Sequence, residues 1–344
     1  MKKIAIILTL AILAGILAGC TGTTVVYTNC TCPCAEQVQN EPATNLPEGA
    51  LKTGLSVTTG VKEKEGTLTY DVTMVAVTVD DGGVIRSCVI DGIAADLVLA
   101  NDGTIKEADE VLTKNELGEA YGMKAYGNAK YEWNEQAAAL ANYAVGKTVD
   151  ELKNGAVNEA GMAKDADLAS IATIYIGGYV SGIEAAVSNA THLGAQTGDV
   201  LKLVTIGSFD SSTPVDGEKA GNAQLDATFA AVTLNGETIT SCIIDSVQAK
   251  VPFDASGKVT VDMPVTAQTK NELGEGYGMK AYGNAKFEWN EQAAAFAAYV
   301  TGKTFSAVSG ISVSEDTKPT EADLASTVTI KIGDFMALIA KAAP

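Results

Sequence analysis

Two kinds of hydrophobic pattern follow each other along the chain, and the pair occurs twice. Apolar and polar residues alternate along 68–79, with many β-branched side chains, and a second run at 84–90 follows an Asp-Asp-Gly-Gly turn. Residues 227–234 and 238–244 repeat the arrangement around an Asn-Gly-Glu turn. Hairpins of this kind predict antiparallel sheets with one face covered.

A duplicated stretch follows each hairpin. Residues 113–148 and 269–304 form the same 36-residue sequence with six differences, at an offset of 156 residues (269 − 113). The first half of each copy is rich in glycine and predicts an ordered loop. The second half has apolar residues at helical spacing from Trp133 and Trp289 onward. Solenoid repeats are much shorter, so this period predicts two domains of one fold.

The last part of each copy combines an alternating run with a helical one. Residues 171–176 and 327–332 alternate as strands do. Helices are expected at 178–190 and 334–342, the second with Asp334 as its N-cap. The predicted fold is therefore α+β, with two tandem copies of an antiparallel sheet packed with helices.

The first 20 residues have the features of a targeting segment rather than of a folded element. Lys2 and Lys3 precede an apolar run at 4–16, and Leu17-Ala18-Gly19-Cys20 follows. This segment resembles the signal peptide and lipobox of bacterial lipoproteins. The resemblance implies cleavage before Cys20, a lipid on that cysteine, and an extracytoplasmic protein anchored to the bacterial cell membrane. An ordinary secretory signal with a chance cysteine is the alternative.

These patterns divide the chain into four parts. They are a signal peptide at 1–20, a flexible tether at 21–50, a first domain at 51–194 and a second domain at 200–344.

Charge and cysteine content narrow the function. A net charge of -18 argues against a nucleic-acid partner, because phosphate binding needs clustered Lys and Arg. Cys30, Cys32 and Cys34 lie in the tether, where disulfides, a metal or neither are all open. A metal is disfavoured because no second ligand pair completes a site of four. Cys88 and Cys242 occupy matching strands and are expected to be half-buried small apolar residues.

The order of motifs is similar to the FMN-binding domain family. Each copy has a Leu-Gly loop, a helix with Glu-Trp and Gln ahead of Gly-Lys, and then Asp-x-x-Ser-x-x-Thr before a final helix. The family includes tandem-domain surface lipoproteins of extracellular electron transfer. The matching residues are Leu117, Gly118, Trp133, Asp167, Ser170 and Thr173 in the first copy, and Leu273, Gly274, Trp289, Asp323, Ser326 and Thr329 in the second.

The resemblance implies what these residues do. In the family, the last residue of a D-x-x-S-G-A-T motif carries FMN through a phosphodiester bond, which assigns that role to Thr173 and Thr329. It also implies an electron carrier with a redox partner at the membrane. The motif glycine is Ile171 in the first copy and Thr327 in the second. Because β-branched residues resist a glycine conformation, and the alternation predicts a strand, covalent attachment is expected to be impaired.

Three functions remain open from the sequence. The protein is an FMN-carrying electron-transfer lipoprotein, a degenerate relative that binds another ligand, or a structural surface protein without flavin. Trp133 and Trp289 either stack on a flavin ring or, as aromatic residues at helical spacing more commonly do, belong to the core. No acid–base or nucleophile arrangement occurs in both copies, so a carrier or binding protein is favoured over an enzyme.

Overall fold

The computed structural model describes residues 48–343, which belong to one compact unit. The signal segment, Cys20, the tether cysteines and nearly all of the tether lie outside the described residues. Across residues 48–343, no helix combines the length and apolar character needed to cross a membrane.

The secondary structure follows the same order in both halves. The strands are β1 (Ala50–Lys64), β2 (Thr67–Val79), β3 (Ile85–Leu99), β4 (Ile105–Ala108), β5 (Thr191–Gln196), β6 (Val200–Ser208), β7 (Gly221–Asn235), β8 (Thr238–Phe253) and β9 (Val265–Thr266). The first-half helices are α1 (Lys114–Leu117), α2 (Met123–Gly127), α3 (Trp133–Ala144), α4 (Val149–Ala156), α5 (Ala166–Ala169) and α6 (Gly177–Ser188). The second-half helices are α7 (Lys270–Leu273), α8 (Met279–Gly283), α9 (Trp289–Val300), α10 (Phe305–Ser309), α11 (Ala322–Ala325) and α12 (Gly333–Lys341).

All strand pairs are antiparallel, and they form two sheets. The six-stranded sheet has the order β4-β3-β2-β1-β5, with β9 also paired to β1. The three-stranded sheet has the order β6-β7-β8. The predicted α+β class with antiparallel sheets packed against helices is therefore confirmed.

The core lies in three layers. Apolar side chains of β1–β3 and β6–β8 form one cluster shared by both halves. The outward side chains of each sheet form two further clusters with α3–α6 and with α9–α12. Within the shared cluster, the buried Tyr70 hydroxyl donates to the Ala223 carbonyl at 2.9 Å. Because each sheet is covered on both faces, its strands are buried along most of their length.

Two local predictions were wrong. Residues 171–176 and 327–332 are irregular segments rather than strands, because a glutamine side chain, and not a neighbouring strand, accepts from their backbone N–H groups. Asp334 lies inside the first turn of α12, and Ile332 holds the N-cap position. Both hairpins and the helices that begin at Trp133 and Trp289 form as predicted.

Candidate functional site

A buried glutamate stands at the N-cap of α3 and of α9. Glu132 is 2% exposed, and its carboxylate accepts from the backbone N–H of Met123 at 2.8 Å and of Lys124 at 3.1 Å. Glu288 makes the same two bonds in the second copy, at 2.8 and 3.0 Å. The first N–H groups of a helix have no partner within the helix. The glutamate therefore satisfies those of α2 or α8 and fixes the glycine-rich segment to the long helix.

A buried glutamine one turn further along holds the loop that carries the motif threonine. Gln136 is 0% exposed, and its Oε1 accepts from Thr173 N at 2.8 Å, Ile174 N at 3.1 Å and Thr173 Oγ1 at 3.1 Å. Its Nε2 donates to the Tyr131 carbonyl at 3.0 Å. Gln292 binds Thr329 in the same way, with distances of 2.8 and 3.1 Å. One side chain thus replaces the strand partner that the sequence pattern predicted.

Thr173 and Thr329 are exposed, although the residue before each of them is buried. Ala172 is 1% exposed and Val328 is 0% exposed, so each inserts into the helical layer and anchors the loop. The threonine that follows is held at its backbone by the glutamine and faces solvent. The two threonines that the sequence placed inside strands are therefore exposed residues, each with its hydroxyl bonded to the glutamine.

The Asp and Ser of the motif shape the short helix ahead of this loop. Ser170 Oγ donates to the Asp167 carbonyl at 2.7 Å, and Ser326 Oγ donates to the Asp323 carbonyl at 2.7 Å. Each bond caps a carbonyl at the end of α5 or α11, where carbonyls lack helical partners. The Asp167 and Asp323 side chains are exposed.

The tryptophans belong to the core. Trp133 is 3% exposed, and its indole N–H donates to the Tyr179 hydroxyl at 3.0 Å. Trp289 is 6% exposed and packs edge-on against Phe335 with ring centroids 5.7 Å apart. A lysine ammonium lies over each indole, 5.1 Å and 4.9 Å from the ring centre. These contacts occupy the indole rings and leave them little surface for a cofactor.

The Leu-Gly pair forms a backbone corner. Leu117 ends α1, and Gly118 follows with φ 51° and ψ −119°. Leu273 ends α7, and Gly274 has nearly the same angles, 50° and −122°. Only glycine adopts this region readily, so the glycine is required by conformation.

Two exposed tyrosines lie close to this corner in the sequence. Tyr126 and Tyr282 are 92% and 91% exposed, on α2 and α8. The ring of Tyr126 lies against Gly122, where a Cβ atom would come within 2.5 Å of it. The N-cap glutamate and the buried glutamine of each copy, described above, were missed as site residues. Their Glu-Trp-x-x-Gln spacing, present in both copies, is the signal that could have identified them.

In each copy, a buried aspartate binds the backbone at the start of the short helix α1 or α7. Asp245 Oδ1 accepts from Asn271 N at 3.0 Å at the start of α7, and burial raises the pKa of this carboxyl to about 6. Asp91 makes the equivalent bond to Asn115 N at 3.1 Å, and burial raises its pKa also. Burial lowers the pKa of the neighbouring Lys270 ammonium.

Other residues considered from the sequence take structural positions. Glu116 and Glu272 accept from the N–H of the threonine that caps α1 or α7, each at the N3 position. Burial raises the pKa of the Cys88 and Cys242 thiols to about 12, in keeping with the role of small apolar residues. His192 Nε2 lies 2.9 Å from Asp81 Oδ1. No group of three or more potential metal ligands occurs within residues 48–343.

Comparison with known proteins adds no relative. No protein-family model, no curated protein and no solved structure matches the chain.

Proposed function

We propose that the protein is an extracytoplasmic, membrane-anchored lipoprotein that carries FMN on Thr173 and Thr329 and transfers electrons. The observation that carries the proposal is the position of the two threonines. Each is exposed on an irregular loop whose backbone is fixed by a buried glutamine. An accessible hydroxyl on an ordered turn is what a modifying transferase needs.

The altered motif position does not oppose this role. Neither Ile171 nor Thr327 is among the non-glycine residues with positive φ. A β-branched side chain is disfavoured only where the backbone is left-handed or otherwise special to glycine. The loop therefore has a conformation that both residues accept, and replacing the family's glycine leaves the hydroxyl where it is accessible.

If FMN were attached, Thr173 and Thr329 would each hold its phosphate through the side-chain oxygen, which would have lost its proton, and the flavin would supply reversible electron transfer. In the free protein, Thr173 Oγ1 donates to Gln136 Oε1 at 3.1 Å. That bond disappears with the proton, but the N–H groups of Thr173 and Ile174 still bind the same oxygen. The loop thus keeps its conformation after modification.

The aromatic side chains available to the flavin ring are tyrosines. Trp133 and Trp289 are buried in the helical layers, whereas Tyr126 and Tyr282 present nearly whole rings to solvent. Met123 begins the helix that carries Tyr126, and its sulfur lies 3.9 Å from Gln136 Nε2. This contact links that helix to the residue that holds Thr173. FMN supplies reversible electron transfer once bound, and the chain supplies attachment and an aromatic surface.

The proposed lipid anchor would localise this electron carrier to the membrane. A lipid on Cys20 would hold the folded unit at the membrane face, where a membrane redox partner can exchange electrons with it.

Flavin fluorescence tests the proposal. The chain is produced together with a flavin transferase and separated on a denaturing gel, where only covalently bound flavin stays in the band. Thr173→Ala and Thr329→Ala are each expected to halve the fluorescence, and the double variant to abolish it. Ser181→Ala is the matched control, because this exposed serine lies outside the motif and its hydroxyl bonds only the Gly177 carbonyl. A non-fluorescent wild-type band would favour the degenerate binding module instead.

A further inference from the structure

The two halves meet through two interfaces that the duplication relates to each other. In one, α12 and β6 of the second half face α1 of the first; in the other, α6 and β1 of the first half face α7 of the second. Ala185 and Lys341 are each the ninth residue of their helix, α6 and α12. At matching positions, the interface formed by α12 therefore has the Lys341 ammonium, and the interface formed by α6 has the Ala185 methyl group.

Lys341 bridges the halves at its own interface. Its Nζ donates to the Thr205 carbonyl on β6 at 2.6 Å and forms an ion pair with Glu116 on α1. The interface thus already holds a primary ammonium between a carboxylate and a strand carbonyl. The carboxylate comes from the first half of the molecule, and the carbonyl from the second.

The other interface keeps the two acceptors but lacks the ammonium. Glu272 corresponds to Glu116 at the offset of 156 residues in the duplicated stretch. Val57 corresponds to Thr205, because each pairs with a residue, Met74 or Phe229, that lies five positions before the residue following the register shift of its hairpin. Those residues are Val79 and Leu234. Within residues 48–343, no lysine or arginine pairs with Glu272.

A cavity of about 650 Å³ lies where the lysine side chain is missing. Ala185, Val57 and Glu272 all line it. Its size is within the range of small-molecule sites. The rest of its wall combines apolar side chains with a few polar groups, among them Leu55, Leu193, Ile243, Ala294, Ala298 and Asn290.

We propose that this cavity binds a primary aliphatic ammonium compound, with its charged head between Glu272 and the Val57 carbonyl and its chain along the apolar wall. An ammonium has three N–H donors and no acceptor, which matches a carboxylate and a carbonyl. A charge-assisted bond to a carboxylate is stronger than a neutral one. The molecule itself demonstrates the match at Lys341.

The buried Oδ1 of Asn290 is a further acceptor in the wall. It has no hydrogen-bond partner among the described residues. Asn134, at the corresponding position of α3, also has an Oδ1 without a partner among the described residues. Asn290 is therefore available to a second polar group on the ligand rather than to the ammonium head.

The probe for this site is n-hexylammonium, with n-hexanol as its neutral counterpart. Equilibrium dialysis with the labelled amine measures affinity and stoichiometry on residues 21–344, which include all of the described residues 48–343. The wild-type chain is expected to bind one equivalent, and n-hexanol at least tenfold more weakly. Ala185→Lys supplies a tethered ammonium and is expected to abolish binding. Its unfolding midpoint shows that the variant is folded.

Two further variants separate charge from shape. Glu272→Gln keeps an acceptor for the cap of α7 and is expected to weaken amine binding at least tenfold, whereas Glu116→Gln at the other interface leaves it unchanged. Lys341→Ala removes the internal ammonium and is expected to create a second site, giving two equivalents. Equal binding of n-hexanol, or unchanged amine binding by Ala185→Lys and Glu272→Gln, would overturn the proposal.

Discussion

Replacing Gln136 by methionine tests whether this side chain fixes the threonine loop. The change keeps a long unbranched chain in the core, so packing is largely conserved. It removes bonds to three backbone groups: Thr173 N, Ile174 N and the Tyr131 carbonyl. At about 1 kcal/mol net for each, the free energy of unfolding should fall by about 3 kcal/mol. The bond from the Thr173 hydroxyl is left out because that exposed group can bond to water instead.

Urea unfolding measures the loss, and hydrogen exchange locates it. The amides of Thr173 and Ile174 should lose their protection in Gln136→Met and keep it in the wild type. Asn142→Ala is the matched control on the same helix, because the second copy already has alanine at the corresponding position, Ala298. It should change the unfolding free energy by less than about 0.5 kcal/mol. A loss below about 1 kcal/mol for Gln136→Met, with both amides still protected, would refute the role given to the glutamine.

Three further substitutions test the backbone at Gly118, the buried carboxyl of Asp245 and the hydroxyl of Thr173. Gly118→Ala should lower the free energy of unfolding in urea by about 1–3 kcal/mol, because Gly118 has φ 51°. Gly127→Ala is the control and should cost far less, because Gly127 has no positive φ and has open space where a Cβ would lie. Equal losses for the two variants would contradict the conformational requirement for Gly118. The folded protein keeps a proton on Asp245 that the unfolded chain releases, so the stability due to this group should fall as pH rises from 3.8 to about 6. Asp245→Asn should remove that part of the pH dependence of urea unfolding, and an unchanged slope would show that the carboxyl is not perturbed. Thr173→Val should change stability by less than about 1 kcal/mol, since the lost hydroxyl bond is solvent-accessible; a larger loss would mean that the hydroxyl is structural.

The hairpins and long helices could be predicted because local patterns determine them. The alternation along β2 and the helical spacing after Trp133 each reflect burial on a regular element. The strands β1 and β6 were not predicted, since their burial depends on the sheet that covers them from the other half. A single pattern does not contain such long-range information.

The threonine loop was wrongly predicted for a related reason. Residues 171–176 alternate because Ala172 and Ile176 anchor the segment in the helical layer, while Thr173 and Tyr175 face outward. Alternation of buried and exposed residues is the signature of a strand, but here the hydrogen-bond partner is a side chain 37 residues earlier in the chain. The roles of Gln136 and Glu132 became visible only when their backbone partners were in place.

The most direct test of FMN attachment at Thr173 and Thr329 is to locate the flavin by mass. The protein is produced with a flavin transferase, digested, and its peptides are sequenced by tandem mass spectrometry. We expect one FMN on the peptide that contains Thr173 and one on the peptide that contains Thr329, each adduct assigned to the threonine oxygen. Unmodified peptides at both positions, from protein made beside a transferase shown to modify another substrate, would contradict it.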